Sequence, residues 1–347
     1  MAGEIPPRIA IFGAGLIGIF LGAMLADDAQ IILIGRPSML DPLADGVRVT
    51  DVDGTDRLLP PGRLVISTDA AALSGAELVL VTVKCMATAE AAAAIAAHAP
   101  ADAPIISFQN GVSNADMLHG LLPGRRVLAG MVPYNVAQRG PAHFHRGTGG
   151  GLVVAADSSL ARFVPVFAAA GVPLLESPDI AGVQWGKLLI NLNNAINALS
   201  GLPLMQQLMQ RDYRRVWAAS IAEGLKLVKA AGIAPVDLLP MPLYLMPQIL
   251  RLPDPLYRFI VAGAGGGKAR VDPHARSSMA EDLARGRPTE VDWLQGEIVR
   301  LADRLGRSAP INARVLELVH AAESGAPPLS GKAMLAALKG PNIATSP

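Results

Sequence analysis

The chain is short of four things, and each shortage excludes something. It has one cysteine, Cys85, among 347 residues, so an intramolecular disulfide and a multi-cysteine metal site are impossible. That usage fits a reducing compartment. Aromatic residues make up 4%, which leaves core packing to Ala, Leu, Val and Ile. Charge is sparse and balanced: 30 Lys and Arg against 29 Asp and Glu give a formal net charge of +1. No Lys/Arg-rich block goes with it, so no nucleic-acid surface is expected. Apolar runs of the ~20 residues needed to span a bilayer are missing, and residues 1–8 lack a basic segment followed by an apolar one, so no secretory signal is expected. These absences predict a cytoplasmic protein with neither nucleic-acid nor membrane partners.

What is present is a long, apolar chain. Hydrophobic residues are 51%, and the length exceeds what one core usually organises, which predicts two domains. Residues 8 to about 135 alternate apolar runs with Ala-rich stretches, the pattern of βαβ units on a parallel sheet. Strands are predicted over 8–12, 30–34, 77–83, 104–108 and 126–132, with helices over 18–26 and 87–98. A hairpin at the sheet edge is predicted over 143–155, turning at 147–151. From about residue 180 the pattern becomes helical, over 180–199, 211–231, 275–286, 290–306 and 311–323. The expected organisation is a doubly wound Rossmann domain (1–177), an all-helical domain (178–325) and a tail of unsettled order (326–347).

Arg8-Ile9-Ala10-Ile11-Phe12 runs into Gly13-Ala14-Gly15-Leu16-Ile17-Gly18 and then an apolar helix. In a dinucleotide site the first glycine makes the tight turn, the second lets pyrophosphate approach the backbone, and the third lets the helix pack on the strand. The helix N-terminus then offers open N–H groups to phosphate. Cofactor choice turns on the end of the second strand, where NAD enzymes carry a carboxylate for the ribose hydroxyls. Here Ile34 is followed by Gly35-Arg36, with no carboxylate before Asp41. An arginine fork pairs with a 2′-phosphate, so NADPH is predicted over NADH. Lys84 and Asn110 follow two further strands, at the carboxyl ends where doubly wound folds bind ligands. Cys85 has no evident base beside it and reads as a packed residue.

The second domain opens with Gln184-Trp185-Gly186-Lys187-Leu188-Leu189-Ile190-Asn191-Leu192-Asn193-Asn194. Steps of four and three put Lys187, Asn191 and Asn194 on one helical face among Leu and Ile. Buried polar groups need partners, which a substrate carboxylate and carbonyl would supply, as would a structural network. Thr289 and Asp292 have the spacing of a capping box opening a helix. His143 and His145 read as strand residues, and His274 and His320 have no metal-ligand spacing. Gly263–Lys268 is not a Walker A loop, because Ala269 stands where Ser or Thr is needed.

In this order the motifs resemble the ketopantoate reductase (2-dehydropantoate 2-reductase) family: Gly13 to Gly18, Val83-Lys84, Gln109-Asn110-Gly111, Trp185 to Asn191, Ser277-Ser278-Met279 and Pro288-Thr289-Glu290-Val291-Asp292. The resemblance implies a Rossmann domain followed by a helical domain similar to that of 6-phosphogluconate dehydrogenase, with the active site in the cleft between them. It implies that Gly13, Ala14, Gly15, Leu16, Ile17 and Gly18 bind NADP, that Arg36 and Lys84 hold its 2′-phosphate end, and that Glu290 completes the polar site. Lys187 would be the catalytic lysine. Asn110 would sit by the nicotinamide ribose and the substrate, Asn191 and Ser278 would bind a small 2-keto acid, and Asn194, one residue before the family's second asparagine position, would cover that position's role. The family's second asparagine, four residues after the one matching Asn191, is here Ala195, which leaves open a paralogue acting on another 2-keto acid. A non-catalytic NADP-binding regulator is a further alternative, although it would not need the Lys187–Asn191 stripe. The segment 234–274 is longer than the family leads one to expect. A homodimer is compatible with the sequence, which by itself determines no oligomeric state.

Overall fold

The computed structural model describes residues 5–264 and 275–339. The first four residues, the Gly-rich run at 265–268, His274 and the chain from 340 onward lie outside the described residues. The chain divides into two compact units, Met1–Ile180 and Ala181–Pro347.

The elements of the first unit run β1 (Arg8–Phe12), α1 (Leu16–Leu25), β2 (Gln30–Ile34), α2 (Pro37–Leu40), β3 (Val47–Asp51), β4 (Asp56–Leu59), β5 (Val65–Ser67), β6 (Leu78–Val81), α3 (Thr88–His98), β7 (Ile105–Ser107), α4 (Asn114–Leu121), β8 (Val127–Met131), β9 (Val136–Gly140), β10 (His143–Arg146), β11 (Leu152–Ala155), α5 (Val164–Ala169) and β12 (Leu174–Ser177). Eight strands form one sheet in the order β12-β11-β8-β7-β6-β1-β2-β5, and four form a second in the order β4-β3-β10-β9. In the larger sheet only β11 against β8 is antiparallel. Strands covered on both faces read as unbroken apolar runs, and β6 is buried at every position. From β1 the chain moves to β2 on one side and later to β6 on the other. The sheet is therefore doubly wound, and its order reverses between β1 and β6.

The second sheet explains the composition of α1. Leu16-Ile17-Gly18-Ile19-Phe20-Leu21-Gly22-Ala23-Met24-Leu25 is apolar all round because two apolar surfaces cover it. Phe20, Leu21 and Leu25 share one core with Ile9, Ile11, Ile31 and Leu33 of the large sheet and Val47, Val49 and Phe144 of the small one. The hairpin expected over 143–155 is not formed. β10 pairs with β9 and β3 in the small sheet, while β11 lies between β8 and β12 in the large one, so 147–151 carries the chain from one sheet to the other. Periodicity reports a strand's faces and not its neighbours, and two strands joined by a Gly-rich turn look the same either way.

Arg146 of β10 is buried and donates through Nη2 to Asp51 Oδ2 and Asp53 Oδ2, each at 2.7 Å. Its guanidinium also lies 5.4 Å from the Tyr134 ring centroid and 5.9 Å from that of Phe20. Burial by itself would raise the Asp51 carboxyl. The hydrogen bonds from Thr55, the Arg146 charge and the Asp53 N–H outweigh it and hold the carboxyl below its ordinary range. A carboxyl depressed in the folded state binds protons more readily when unfolded, so it stabilises the fold above its ordinary value of about 3.9 and loses this as pH falls further. The stability gap between wild type and Asp51→Asn, read by denaturant titration, is expected at full size at neutral pH and to shrink below about pH 4. A gap independent of pH would show that Asp51 gives no ionic stabilisation.

The second unit is helical: α6 (Ile180–Asn191), α7 (Asn193–Ser200), α8 (Leu204–Leu208), α9 (Arg211–Ala230), α10 (Met246–Leu250), α11 (Asp254–Ala264), α12 (Ser278–Ala284), α13 (Gln295–Arg304), α14 (Pro310–Glu323) and α15 (Gly331–Ala337). The helix predicted over 180–199 is interrupted at Leu192, between α6 and α7. The stretch from 326, expected as a tail of unsettled order, carries α15 docked on α9. A Cβ on Gly331 would meet Asp212 Cβ at 2.8 Å, and the Tyr213 hydroxyl donates to Leu329 O at 3.0 Å. The capping box expected at Thr289 is also absent. A 3-10 turn, Val291–Trp293, precedes α13; Asp292 pairs with His320 at 3.2 Å, and the Thr289 N–H donates instead to Glu323 Oε1 at 2.7 Å. No helix among the described residues is long and apolar enough to cross a membrane.

Candidate functional site

The three motif glycines do three different things. Gly13 has φ +115°, and a Cβ there would strike the Thr82–Val83 backbone. Its N–H and that of Ala14 both donate to Ile34 O at 2.9 Å, while the Thr82 hydroxyl donates to Gly13 O at 2.7 Å. The turn is thereby tied to β2 and to the end of β6, the strands flanking β1. A Cβ on Gly18 would run into Gly13 O and Thr82 Oγ1, whereas one on Gly15 would meet no heavy atom nearer than 4.0 Å. Gly13 and Gly18 are thus packing positions, and Gly15 leaves open space over the backbone. The first helical bond of α1 runs from Ile19 N–H to Gly15 O at 2.9 Å. The N–H groups of Leu16, Ile17 and Gly18 precede it and, as helix-start donors, have no acceptor within the helix.

Arg36 stands two residues past β2, exposed, and its side chain makes no hydrogen bond or ion pair among the described residues. Lys84, past β6, is also exposed, and Asn110, past β7, is half-buried. Below these strand-end residues lies a buried polar network that the sequence reading did not anticipate. Gln109 Nε2 donates to Thr88 Oγ1 at 2.8 Å, and Ser107 Oγ donates to Gln109 Oε1 at 3.0 Å. Asn114 belongs to the same cluster. Cys85 is buried within it, as its reading as a packed residue requires. The available signal was the run of Ser, Thr, Gln and Asn at apolar strand ends, where lone polar side chains would otherwise go unpaired.

In the second unit Lys187, Asn191 and Asn194 are all half-buried, while Trp185, Leu188, Leu189 and Leu192 around them are buried. The interruption at Leu192 does not scatter the stripe, since Leu192 N–H still donates to Leu188 O at 3.0 Å. Among the described residues the side-chain amides of Asn191 and Asn194 have no hydrogen-bond partner. Asn193 and Asn197 are buried and occupied: Asn193 exchanges two 3.2 Å bonds with Gln207, and Asn197 Oδ1 accepts from Ser277 N–H at 2.9 Å. Ser277 Oγ donates to Asn194 O at 3.1 Å, which brings the start of α12, and so the exposed Ser278, beside the stripe. Gln295 Nε2 donates to Leu192 O at 2.8 Å and braces the interruption. Glu290 is half-buried on the segment leading to Gln295. Ala195 is fully buried, so this position offers no polar group to a ligand. Gly186 is a packing position, because a Cβ there would strike Val236 O. Among the described residues no cluster of His, Cys, Asp and Glu could hold a metal.

Residues 9–158 match the family model described as "Ketopantoate reductase PanE/ApbA", and residues 179–323 match its C-terminal companion. A curated relative from Halobacterium salinarum named 2-dehydropantoate 2-reductase is 27% identical, over 91% of this chain and 99% of its own. Among solved structures, a PanE/ApbA family ketopantoate reductase from Ralstonia eutropha is 33% identical, with a TM-score of 0.77 over 91% of this chain and 98% of its own. D-mandelate dehydrogenase, solved with NADH and anilino(oxo)acetate, shares the fold at 18% identity and TM-score 0.73, over 91% of this chain and 98% of its own.

Proposed function

Because the chain belongs to the ketopantoate reductase PanE/ApbA family, whose two models together match most of its length, and is an oxidoreductase of that family, we propose that it reduces 2-dehydropantoate to pantoate with NADPH. The observation that carries this reading is the half-buried stripe of Lys187, Asn191 and Asn194, whose two amides are open to a ligand while their buried neighbours are satisfied within the fold.

The residues of the β1–α1 turn fit a dinucleotide. The open space over Gly15 and the N–H groups of Leu16, Ile17 and Gly18 would receive its pyrophosphate, and Ala14 lies within the same turn. Arg36, exposed and without an internal partner, would pair with the 2′-phosphate, together with Lys84. When bound, NADPH supplies the hydride that reduces the keto carbon. Negative charge then develops on the carbonyl oxygen, where the Lys187 ammonium would stabilise it and deliver the proton as general acid. Asn110 and Asn191 would align the carbonyl, Asn194 and Ser278 would bind the carboxylate or hydroxyl end, and Glu290 would complete the polar site.

The test follows NADPH absorbance with 2-dehydropantoate, beside pyruvate, 2-ketoisovalerate and NADH controls. NADPH-selective turnover of 2-dehydropantoate is expected, and its absence would sink the proposal. Turnover of another small 2-keto acid in its place would favour the second reading, a paralogue, which the apolar Ala195 supports. Arg36→Ala is expected to weaken NADPH binding by roughly 10- to 100-fold, the worth of a hydrogen bond to a charged group, with NADH binding unchanged in a fluorescence titration. An equal loss for both cofactors would remove Arg36 from 2′-phosphate recognition.

A further inference from the structure

We propose that Asn114 is a positioning residue that holds the strand-end loops carrying Lys84 and Asn110 in register with one another. The proposal rests on the reading of Asn110 as a substrate and ribose contact. Asn114 is the first residue of α4 and is buried, but its amide does not cap that helix. It reaches back instead: Nδ2 donates to Asn110 O at 2.5 Å and to Cys85 Sγ at 3.3 Å. The Cys85 thiol donates to the same Asn110 O at 3.2 Å, which closes a triangle of thiol, main-chain carbonyl and amide. One corner is the residue after Lys84, another is Asn110 itself, and the third is Asn114.

The amide is held at its other end as well. Thr88 has one hydroxyl proton, with Cys85 O at 2.7 Å and Asn114 Oδ1 at 3.0 Å within reach, and accepts from Gln109. The side chains of Asn114, Thr88, Gln109 and Cys85 are buried, so the bonds among them form where water cannot substitute and a missing partner costs most. β6 and β7 are adjacent parallel strands, and their backbone bonding runs on to Phe108 N–H, which donates to Val81 O at 2.9 Å just before the loops begin. Beyond the strands, side-chain bonds through Asn114, Thr88, Gln109 and Cys85 join the two loops. A loop residue that must meet a carbonyl within a fraction of an ångström needs such a brace, since misplacement by about 1 Å can cost on the order of 100-fold in rate.

Asn114→Asp keeps the size and the acceptor but turns a carboxylate oxygen onto Asn110 O. Turnover is expected to fall roughly 10- to 100-fold, with the NADPH dissociation constant, read by fluorescence, rising by less than turnover falls, because, of the proposed phosphate contacts, only Lys84 sits on a braced loop while Arg36 and the β1–α1 turn do not. The double variant with Asn110→Ala should be no slower than Asn110→Ala alone, since both act through one group. The single thiol gives a readout independent of turnover: Cys85 should react with a thiol reagent at least ~10-fold faster in Asn114→Asp, as protection follows local opening. Normal turnover in folded Asn114→Asp, additive losses in the double variant, or unchanged Cys85 labelling would overturn the proposal. If Asn110→Ala also turns over normally, the reading of Asn110 has failed as well; if only Asn114→Asp does, that reading survives. Should Asn114→Asp not fold, Thr88→Val removes the hydroxyl behind the amide and should show the same pattern, and normal turnover there would equally overturn the proposal.

Discussion

Lys187→Ala is expected to lower turnover of the keto acid by at least ~100-fold, the lower end for a positioned general acid, while NADPH binding is unchanged. The lysine leaves a half-buried position in α6 whose neighbours Trp185, Leu188 and Leu189 are buried, so its orientation is set by packing that the substitution does not disturb. Alanine removes both the charge that stabilises the forming alkoxide and the proton it receives. Lys187→Arg separates these roles, because arginine keeps the charge but does not give up its proton in this pH range. Partial recovery with arginine, together with loss of one limb of the pH–rate profile, would assign the proton to Lys187. Near-normal turnover in Lys187→Ala would remove the residue from the mechanism and leave the stripe as a structural network.

Arg214→Met is expected to cost about 3–5 kcal/mol of stability, the usual result of breaking a buried charged network from one side. Arg214 in α9 is fully buried. Nη2 donates to Leu252 O and Asp254 Oδ1 at 2.8 Å each, Nη1 to Leu208 O at 2.9 Å and Nε to Leu250 O at 3.3 Å. Its guanidinium carbon sits 4.0 Å from the Tyr257 ring centroid. Methionine fills similar length with no donor and strands three main-chain carbonyls. For a unit of this size the loss corresponds to a fall in Tm of roughly 10 °C, measurable by thermal unfolding. A fall of less than ~2 °C would mean that the Arg214 network adds nothing to the other contacts that hold α10 and α11 to α9. Arg211 of α9 adds a bond from Nε to Arg251 O at 2.9 Å, so two arginines of α9 hold residues 250–254.

The β1–α1 turn was legible because its glycines satisfy constraints local to a few residues: one positive φ, one close approach and one open space. The stripe of Lys187, Asn191 and Asn194 was legible for a similar reason, since helical periodicity spans it and the interruption at Leu192 shifts it little. The Arg146–Asp51 pair was not legible. Its partners are far apart in sequence and meet only because β10 pairs in parallel with β3, and nothing along the chain announces which strands will pair. The Asn114 brace escaped notice for the same cause, as its three corners come from two strand-end loops and a helix start.

The sequence alone determined the family, the alternation of strand and helix about the nucleotide turn, and the identity of the polar residues facing one side of α6 and α7. These follow from spacing, sterics and periodicity, which act over a few residues and leave their mark in the order of the letters. Only the tertiary structure decided that 143–155 divides between two sheets, that Gly331–Ala337 forms a docked helix, and which buried amides are already satisfied. Those outcomes depend on which surfaces find each other when apolar area leaves water, and a single chain read end to end carries no record of the partners it will meet.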